Sequence, residues 1–415
     1  MKLTLKNNLT LQIISAMMLG LIVGVIIKMI PQTDWLHKDA IEVFSVLGKI
    51  FIMILKMLIV PIVFVSLVYG TCQLRESTGM GKMIFKTLAW YIFTTALAIT
   101  LAIFISVLFN VGGSANFATP AKFIINSAPS LKAVILDMFP ENPIASLANG
   151  KMLQIIIFAI LFGIAMSASG ESGKKLAGYF KEANDVLITL IHLIMKVAPY
   201  GVFCLLTVVF AGKGISLIGQ LIGYFMTVIL VLLIQAILIY GGLLRIIARL
   251  SPIRFYKKMV SAMLFAFSTS SSNASIPVVL DTVKNKLGVS NGIASFVVPL
   301  GATINMDGTA IMQGVATVFI SHLYNIPIGI TGYLTVILMA TLASIGTAGV
   351  PSVGLITLAM VLEQVGLPVE GIALIIGIDR LLDMLRTAVN IAGDSTVACL
   401  VAKSEKQHSE KIFNQ

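Results

Sequence analysis

Apolar positions in this chain fall in long blocks instead of recurring every second or every third to fourth residue. Six blocks lie near 11–30, 43–71, 88–110, 150–168, 186–211 and 218–243, each close to the roughly 20 residues that cross a hydrocarbon layer. They predict six spanning helices. Three basic segments, RESTGMGKMIFK, ESGKKLAGYFKE and RIIARLSPIRFYKK, separate alternate pairs of blocks, while the other connections hold scattered lysines such as Lys38, Lys122, Lys132 and Lys213. The positive-inside rule puts the N-terminus and the three basic segments in the cytoplasm. Lys2 and Lys6 before the apolar run Leu11 to Ile27 imitate a signal peptide, but no small-residue cleavage pattern follows, so the run reads as the first span.

Two later blocks break the count. Residues 259–280 are interrupted by STSSSNASIP, and both flanks are basic, with Lys257 and Lys258 before and Lys284 and Lys286 after. A full crossing would leave one of those flanks outside. A span near 290–322 follows. From Ser321 to Gly371 there is no Lys or Arg, although another apolar stretch, 334–362, lies there and is interrupted by GTAGVPSVG. The simplest fold is an all-α membrane protein with eight transmembrane helices and two re-entrant helical hairpins, about 252–285 and 329–366, one dipping from each side. Both termini are then cytoplasmic, in agreement with Lys403, Lys406 and Lys411. The order hairpin, span, hairpin, span reads as inverted repeats. Irregular backbone at membrane depth needs protein or a wet cavity around it, and such repeats mark the midplane binding site of many secondary transporters.

Composition agrees. The 415 residues are 58% hydrophobic and 11% charged, with a mean hydropathy of +0.99, against about 25% charged residues in soluble domains. The net charge of +11 would point to nucleic acid in a soluble protein, but here it sits in short loops. Cys72, Cys204 and Cys399 are far apart in or beside apolar runs, giving no disulfide framework or metal motif. His37, His192, His322 and His408 are isolated, so no nucleophile–base set appears and an enzyme is not expected. The 20 methionines read as apolar filling.

The most informative block is Gly371 to Val401, which has apolar flanks yet carries five charged residues. One Asp or Arg at a bilayer centre costs roughly 2.5 to 3.5 kcal/mol, so the cluster must face protein, water or substrate. At helical spacing Asp379, Asp383, Arg386, Thr387, Asn390 and Asp394 share an arc of roughly 100°. The guanidinium of Arg386 matches a carboxylate bidentately, and Asp383, nearly one turn earlier, suits an ammonium group. Together they describe a zwitterion with an additional acid; the alternative is an internal Asp383–Arg386 salt bridge. Arg380, at the margin of the stripe, is expected to pair with Asp379.

Of 18 acidic residues, Asp307, Asp379, Asp383 and Asp394 alone fall within predicted spans. Hard cations take oxygen ligands, and Asp307 and Asp394, each near an Asn and a helix-loosening Gly, are the cation-site candidates; buried helix-packing aspartates are the alternative. The Ser270 to Asn273 run, including Ser271 and Ser272, offers hydroxyl and N–H groups to a carboxylate, or forms a polar turn. GTAGVPSVG fits a flexible gate. Tyr91, Thr94 and Thr95 place three oxygens together on the third span. Lys49, Lys56 and Lys196 are expected to snorkel or pair at the membrane interface.

These motifs, above all the serine-rich hairpin, NMDGTA, GTAGVP and DRLLDMLRTAVNIAGD, resemble those of prokaryotic glutamate/aspartate symporters of the dicarboxylate/amino acid:cation symporter family, and the resemblance spans essentially the whole chain. It implies a homotrimer in the cell inner membrane and an elevator mechanism. Residues 1–79 and 113–214 would form the scaffold and trimer contacts, and 80–112 and 215–415 the transport domain. It further implies that Arg386 holds the substrate's side-chain carboxylate and Asp383 its amino group, with Thr387 nearby. Asn390, Ser272 and the adjacent Ser271 would take the α-carboxylate, Thr309 the distal acid, and backbone at Val350 and Gly354 the lid. Sodium would sit at Gly301, Asn305, Asn390 and Asp394; at Tyr91, Thr94, Thr95, Asn305 and Asp307; and at Thr303, Ser344, Ile345 and Thr347. No cofactor is implied beyond the coupling ions. Gln313, where potassium-coupled animal relatives carry a glutamate, argues against obligatory potassium countertransport. Arg386 argues against the neutral-amino-acid branch, and Asp383 against carriers of four-carbon acids without an amino group. Ser270 replaces the hairpin-tip arginine of some archaeal members, and Ser352-Val353 replace Gly-Ala. The implied activity is sodium-coupled uptake of L-aspartate and/or L-glutamate; proton coupling and a passive anion channel are the alternatives.

Overall fold

The computed structural model describes residues 9–30, 35–72, 81–113, 136, 139–213, 217–344, 349 and 351–415. Among them the long apolar blocks are all helical. The first three are α1 (Leu9–Met29), α2 (Trp35–Cys72) and α3 (Gly81–Leu108). A short α4 (Pro143–Asn149) starts under Asn142, whose side chain accepts the N–H groups of Ile144 and Ala145. Next come α5 (Met152–Ala168), α6 (Gly170–Met195) and α7 (Ala198–Lys213).

The fifth predicted block differs from expectation. Its basic leader ESGKKLAGYFKE is helical, not a loop, because Lys, Glu and Ala are strong helix formers and Glu171 and Lys174 pair at 3.0 Å along one face. The block is then cut between Met195 and Ala198, where Pro199 takes a first-turn position of α7.

The sixth block, α8 (Leu217–Ile234), continues into two π-helical turns, Gln235–Tyr240 and Leu243–Ile247. Such turns shift the register of every following side chain. Two helix–turn–helix pairs come next. The first is α9 (Pro252–Thr269) and α10 (Ser272–Asp281), in which Ser271 caps α10 by accepting the Ala274 N–H. The second is α13 (Gly329–Ser344) and α14 (Val353–Gln364). Both turns hold a serine in the left-handed region, Ser270 at φ 50° and Ser352 at φ 67°, at a cost of roughly 1–2 kcal/mol each.

Each pair precedes a long polar-striped segment, but the two segments are not alike. The first is broken at Asn305-Met306 into α11 (Asn291–Ile304) and α12 (Asp307–Leu323). The second, α15 (Ile372–Ser404), is continuous and about 50 Å long. The expectation that Asn and Gly loosen both helices therefore fails for the second. At the first, the Gly308 N–H leaves the helical ladder to donate to Asn390 Oδ1 at 2.7 Å; in α15 Asn390 is the acceptor and its backbone stays helical. A last short helix, α16 (Glu410–Asn414), ends the chain.

Helices α1, α2, α5, α6 and α7 pack on one another, while α3, α8, α9, α11, α12 and α13 pack on one another or on α15. Contacts between the two sets run from α15 to α1 and α7, from α14 and α11 to α2, and from α13 to α5. Nearly every residue of α12 and α15 is buried. By contrast Met18, Leu19, Ile22 and Ile26 of α1, Phe85 and Phe104 of α3, and Ile222, Met226 and Leu233 of α8 are exposed, more apolar surface than a soluble monomer shows. Among the described residues, Lys82–Leu108 and Gly219–Ile247 are long and apolar enough to cross a membrane on length and composition.

Candidate functional site

Arg386 is fully buried on α15. Its Nη2 donates to Asp383 Oδ1 at 2.8 Å and its Nη1 lies 2.8 Å from Asp379 Oδ1. The internal Asp383–Arg386 pair is thus formed. Asp379 faces Arg386, not Arg380 as its neighbouring position led us to expect; the contact of Arg380 is with Asp383 Oδ2 at 3.7 Å. Consecutive residues diverge by about 100° around a helix, whereas a seven-residue step returns to the same face two turns on. Even so, the guanidinium is not saturated. Its Nε has no hydrogen-bond acceptor, and Nη1, although ion-paired with Asp379, is not aligned for a hydrogen bond with it; a buried donor left unpaired costs about 1–3 kcal/mol.

The two hairpin turns close over this arginine. The Ser352 N–H donates to Asp383 Oδ2 at 3.1 Å, tying the second hairpin to α15. Ser271 Oγ and the Asn273 N–H both donate to the carbonyl of Gly349, at 2.7 and 3.2 Å, tying the hairpins to each other. Ser270, Ser272, Thr309, Gly354, Asp383, Thr387 and Asn390 line the cleft between them, which as folded leaves about 10 Å³, on the scale of one water. Gly354 is required there, since a Cβ would meet Thr309 and Met312 at 3.0 Å and approach Arg386 Nη2 at 3.7 Å. Thr387 Oγ1 donates to the Asp383 carbonyl at 2.7 Å, so its hydroxyl is held by its own helix. Val350 lies outside the described residues.

A second polar cluster sits where the α11–α12 break meets α3, α8 and α15. Asp307 Oδ1 accepts from Thr95 at 2.6 Å, and Oδ2 accepts from Tyr240 at 2.6 Å and Gln235 at 3.2 Å. Asn305 takes the Thr94 hydroxyl at 3.4 Å on Oδ1 and donates from Nδ2 to Asp394 Oδ1 at 2.9 Å. Tyr91 donates to the Val297 carbonyl at 2.9 Å. Asp307 and Asp394 are both buried, and no Lys or Arg among the described residues pairs with either. Two buried carboxylates without a basic partner are neutralised either by a proton or by a cation held by oxygens.

Thr303 and Ser344, in contrast, donate only to carbonyls of their own helices, Leu300 at 2.9 Å and Thr341 at 2.8 Å. Gly349 does approach α11, for a Cβ on it would stand 2.6 Å from the Ala302 carbonyl. Ile345 and Thr347 lie outside the described residues.

Comparison with known proteins now decides the class. Residues 9–404 match the sodium:dicarboxylate symporter family. The chain belongs to that family. It is 34% identical to the proton/sodium-glutamate symport protein of Bacillus subtilis (strain 168) over 414 residues, covering 97% of this chain and 94% of the relative. It is 32% identical over 423 residues to the proton/glutamate-aspartate symporter of Escherichia coli (strain K12), covering 98% and 95%. Human excitatory amino acid transporter 3 is 32% identical over 469 residues, covering 98% and 88%. As a symporter-family member the chain is a transporter and not an enzyme, and an integral membrane protein.

In this family member, sequence reasoning missed Gln235 and Tyr240. The available signal was a lone Gln inside the apolar run VLLIQAILIY; what hid its partner was the π-helical register, which apolar spacing does not reveal. Gly301, by contrast, was named on resemblance alone and has a clear geometric reason. A Cβ there would press on the Asp394 carboxylate and stand 2.6 Å from the Tyr91 hydroxyl. Gly301→Ala is expected to lower stability by about 1–3 kcal/mol and to weaken cation binding, read as a lower melting temperature that added sodium no longer raises.

Proposed function

We propose that the protein is a sodium-coupled symporter that carries L-aspartate and/or L-glutamate into the cell across the inner membrane. The observation that carries this reading is the buried Arg386 guanidinium, its Nε–H unmatched and its Nη1 held to Asp379 by an ion pair without an aligned hydrogen bond, beside a cleft walled by Asp383, Thr387 and Asn390. A substrate side-chain carboxylate would take those donors in fork geometry. Its amino group would take Asp383, and its α-carboxylate Asn390 with the N–H and hydroxyl groups at Ser271 and Ser272. Thr309 lies on the acid side, and the backbone of the second hairpin, through Val350 and Gly354, forms the lid. Three relatives named as glutamate or glutamate-aspartate symporters and excitatory amino acid transporters support the substrate class.

Sodium would occupy Asp307 with Asn305, Tyr91, Thr94 and Thr95, and Asp394 with Gly301, Asn305 and Asn390. A third ion would lie between Thr303 and the backbone of Ser344, Ile345 and Thr347. Each net positive charge entering contributes about 2.3 kcal/mol per 100 mV, so more than one sodium per substrate drives an anion uphill.

The topology that fits is eight crossings with the pairs α9–α10 and α13–α14 re-entrant and both termini cytoplasmic. The separate packing of α1, α2 and α5–α7 supports a scaffold, trimeric as in the family resemblance, against which the remaining helices slide as an elevator. Because the cleft leaves room for about one water, substrate entry requires the second hairpin to lift from Asp383.

Replacing external sodium by choline in proteoliposomes, with pH and voltage clamped, is expected to abolish aspartate and glutamate uptake. Undiminished uptake would rule out sodium coupling. Uptake in choline that follows an imposed pH gradient is instead the proton-coupled outcome, which the name of the Escherichia coli relative favours.

A further inference from the structure

Asp307 is gripped from three directions. Thr95 on α3 donates to one oxygen, and Tyr240 and Gln235, from the first π-helical turn after α8, donate to the other. Gln235 also reaches the Thr94 carbonyl at 3.5 Å, while its own amide oxygen has no partner. Both side chains are fully buried. Neighbouring α15 is shaped around this contact, since a Cβ on Gly393 would stand 2.5 Å from the Tyr240 hydroxyl.

The arrangement exceeds what satisfying a buried tyrosine requires. A backbone carbonyl elsewhere in the fold would do for that, as Val297 does for Tyr91 and Ala236 for Tyr256. Here the π-helical register aims two donors at a carboxylate that no Lys or Arg among the described residues neutralises. Donors on both oxygens fix the plane of the carboxylate and favour its charged form against the cost of burial, the form that meets a bare cation.

We propose that Tyr240 and Gln235 are positioning residues of the Asp307 cation site and set its sodium affinity, without touching the amino acid. This rests on the sodium-coupled reading above. Tyr240→Phe in the purified full-length protein is expected to weaken sodium binding about tenfold, as loss of one charge-assisted hydrogen bond implies. Calorimetric titration with sodium chloride against choline chloride at constant ionic strength reads this. Gln235→Leu, losing the 3.2 Å donor, is expected to fall about threefold, the smaller share of a longer bond. In proteoliposomes the half-saturating sodium concentration should rise by the same factors, with maximal uptake at saturating sodium unchanged.

Wild-type sodium affinity in Tyr240→Phe would overturn the proposal. So would equal melting losses in choline and sodium together with reduced maximal uptake, the signature of a packing role. If the unsubstituted protein itself binds no sodium, the coupling assignment falls and this inference with it; a sodium-binding parent with an indifferent Tyr240→Phe removes only the inference.

Discussion

Arg386→Cys is expected to take up neither aspartate nor glutamate, while uptake of small neutral amino acids appears. The guanidinium is fully buried beside the cleft with its Nε–H unmatched, and truncating one partner of a buried charge pair costs about 2–5 kcal/mol, a loss of affinity beyond about thirtyfold. A neutral side chain no longer needs the fork, and the shorter residue leaves space for it. The substitution also strips Asp379 and Asp383 of the cation that each approaches at 2.8 Å, which destabilises by about 3–5 kcal/mol. Folding and binding must therefore be separated. Arg386→Cys combined with Asp379→Asn removes one orphaned charge and should recover melting temperature without recovering acidic substrates. Competition uptake in proteoliposomes, with thermal melting of both variants, measures this. Unchanged aspartate affinity in folded Arg386→Cys would contradict the assignment.

Asp307→Asn is expected to abolish the response of uptake to sodium. Three donors, Thr95, Tyr240 and Gln235, point at the two carboxylate oxygens. An asparagine keeps one acceptor and turns an NH₂ group against one set of donors. The negative charge that would balance the ion disappears as well. Loss of a charge-assisted contact together with a donor facing donors is worth about 3 kcal/mol or more, over a hundredfold in sodium affinity. Titration with sodium in detergent and sodium dependence of uptake both report it. An unaltered sodium dependence would show that Asp307 is a packing residue.

Much of this was legible before any coordinates. The polar stripe on α15 follows from helical spacing alone, and the interruptions STSSSNASIP and GTAGVPSVG locate both hairpin turns. Burial of Arg386 follows from the cost of leaving it in lipid. What could not be read was long-range pairing. Arg380 and Asp379 are adjacent in sequence, yet the helix turns them apart and gives Asp379 to Arg386. The unequal repeats also hide in the sequence, because the backbone break at Asn305-Met306 depends on where the Gly308 N–H finds its acceptor, a contact 82 residues away. Tyr240 enters the cation cluster only through a π-helical turn that shifts it relative to α8.

The close approach at Gly308 carries a further consequence. A Cβ there would stand 2.7 Å from the Arg386 carbonyl and 2.9 Å from its Cα, so the backbone that starts α12 rests directly on the backbone that carries the arginine. Nothing compressible separates the residue before it, Asp307, from the anion-binding face of α15. With sodium at Asp307 and the amino acid at Arg386, as proposed above, a shift of a few tenths of an ångström at the ion would pass to the backbone that carries the guanidinium, and thermodynamic reciprocity would require the amino acid to tighten sodium by whatever factor sodium tightens the amino acid. Cargo and driving ion would then be geared together by abutting main chains, with no need for the two to touch.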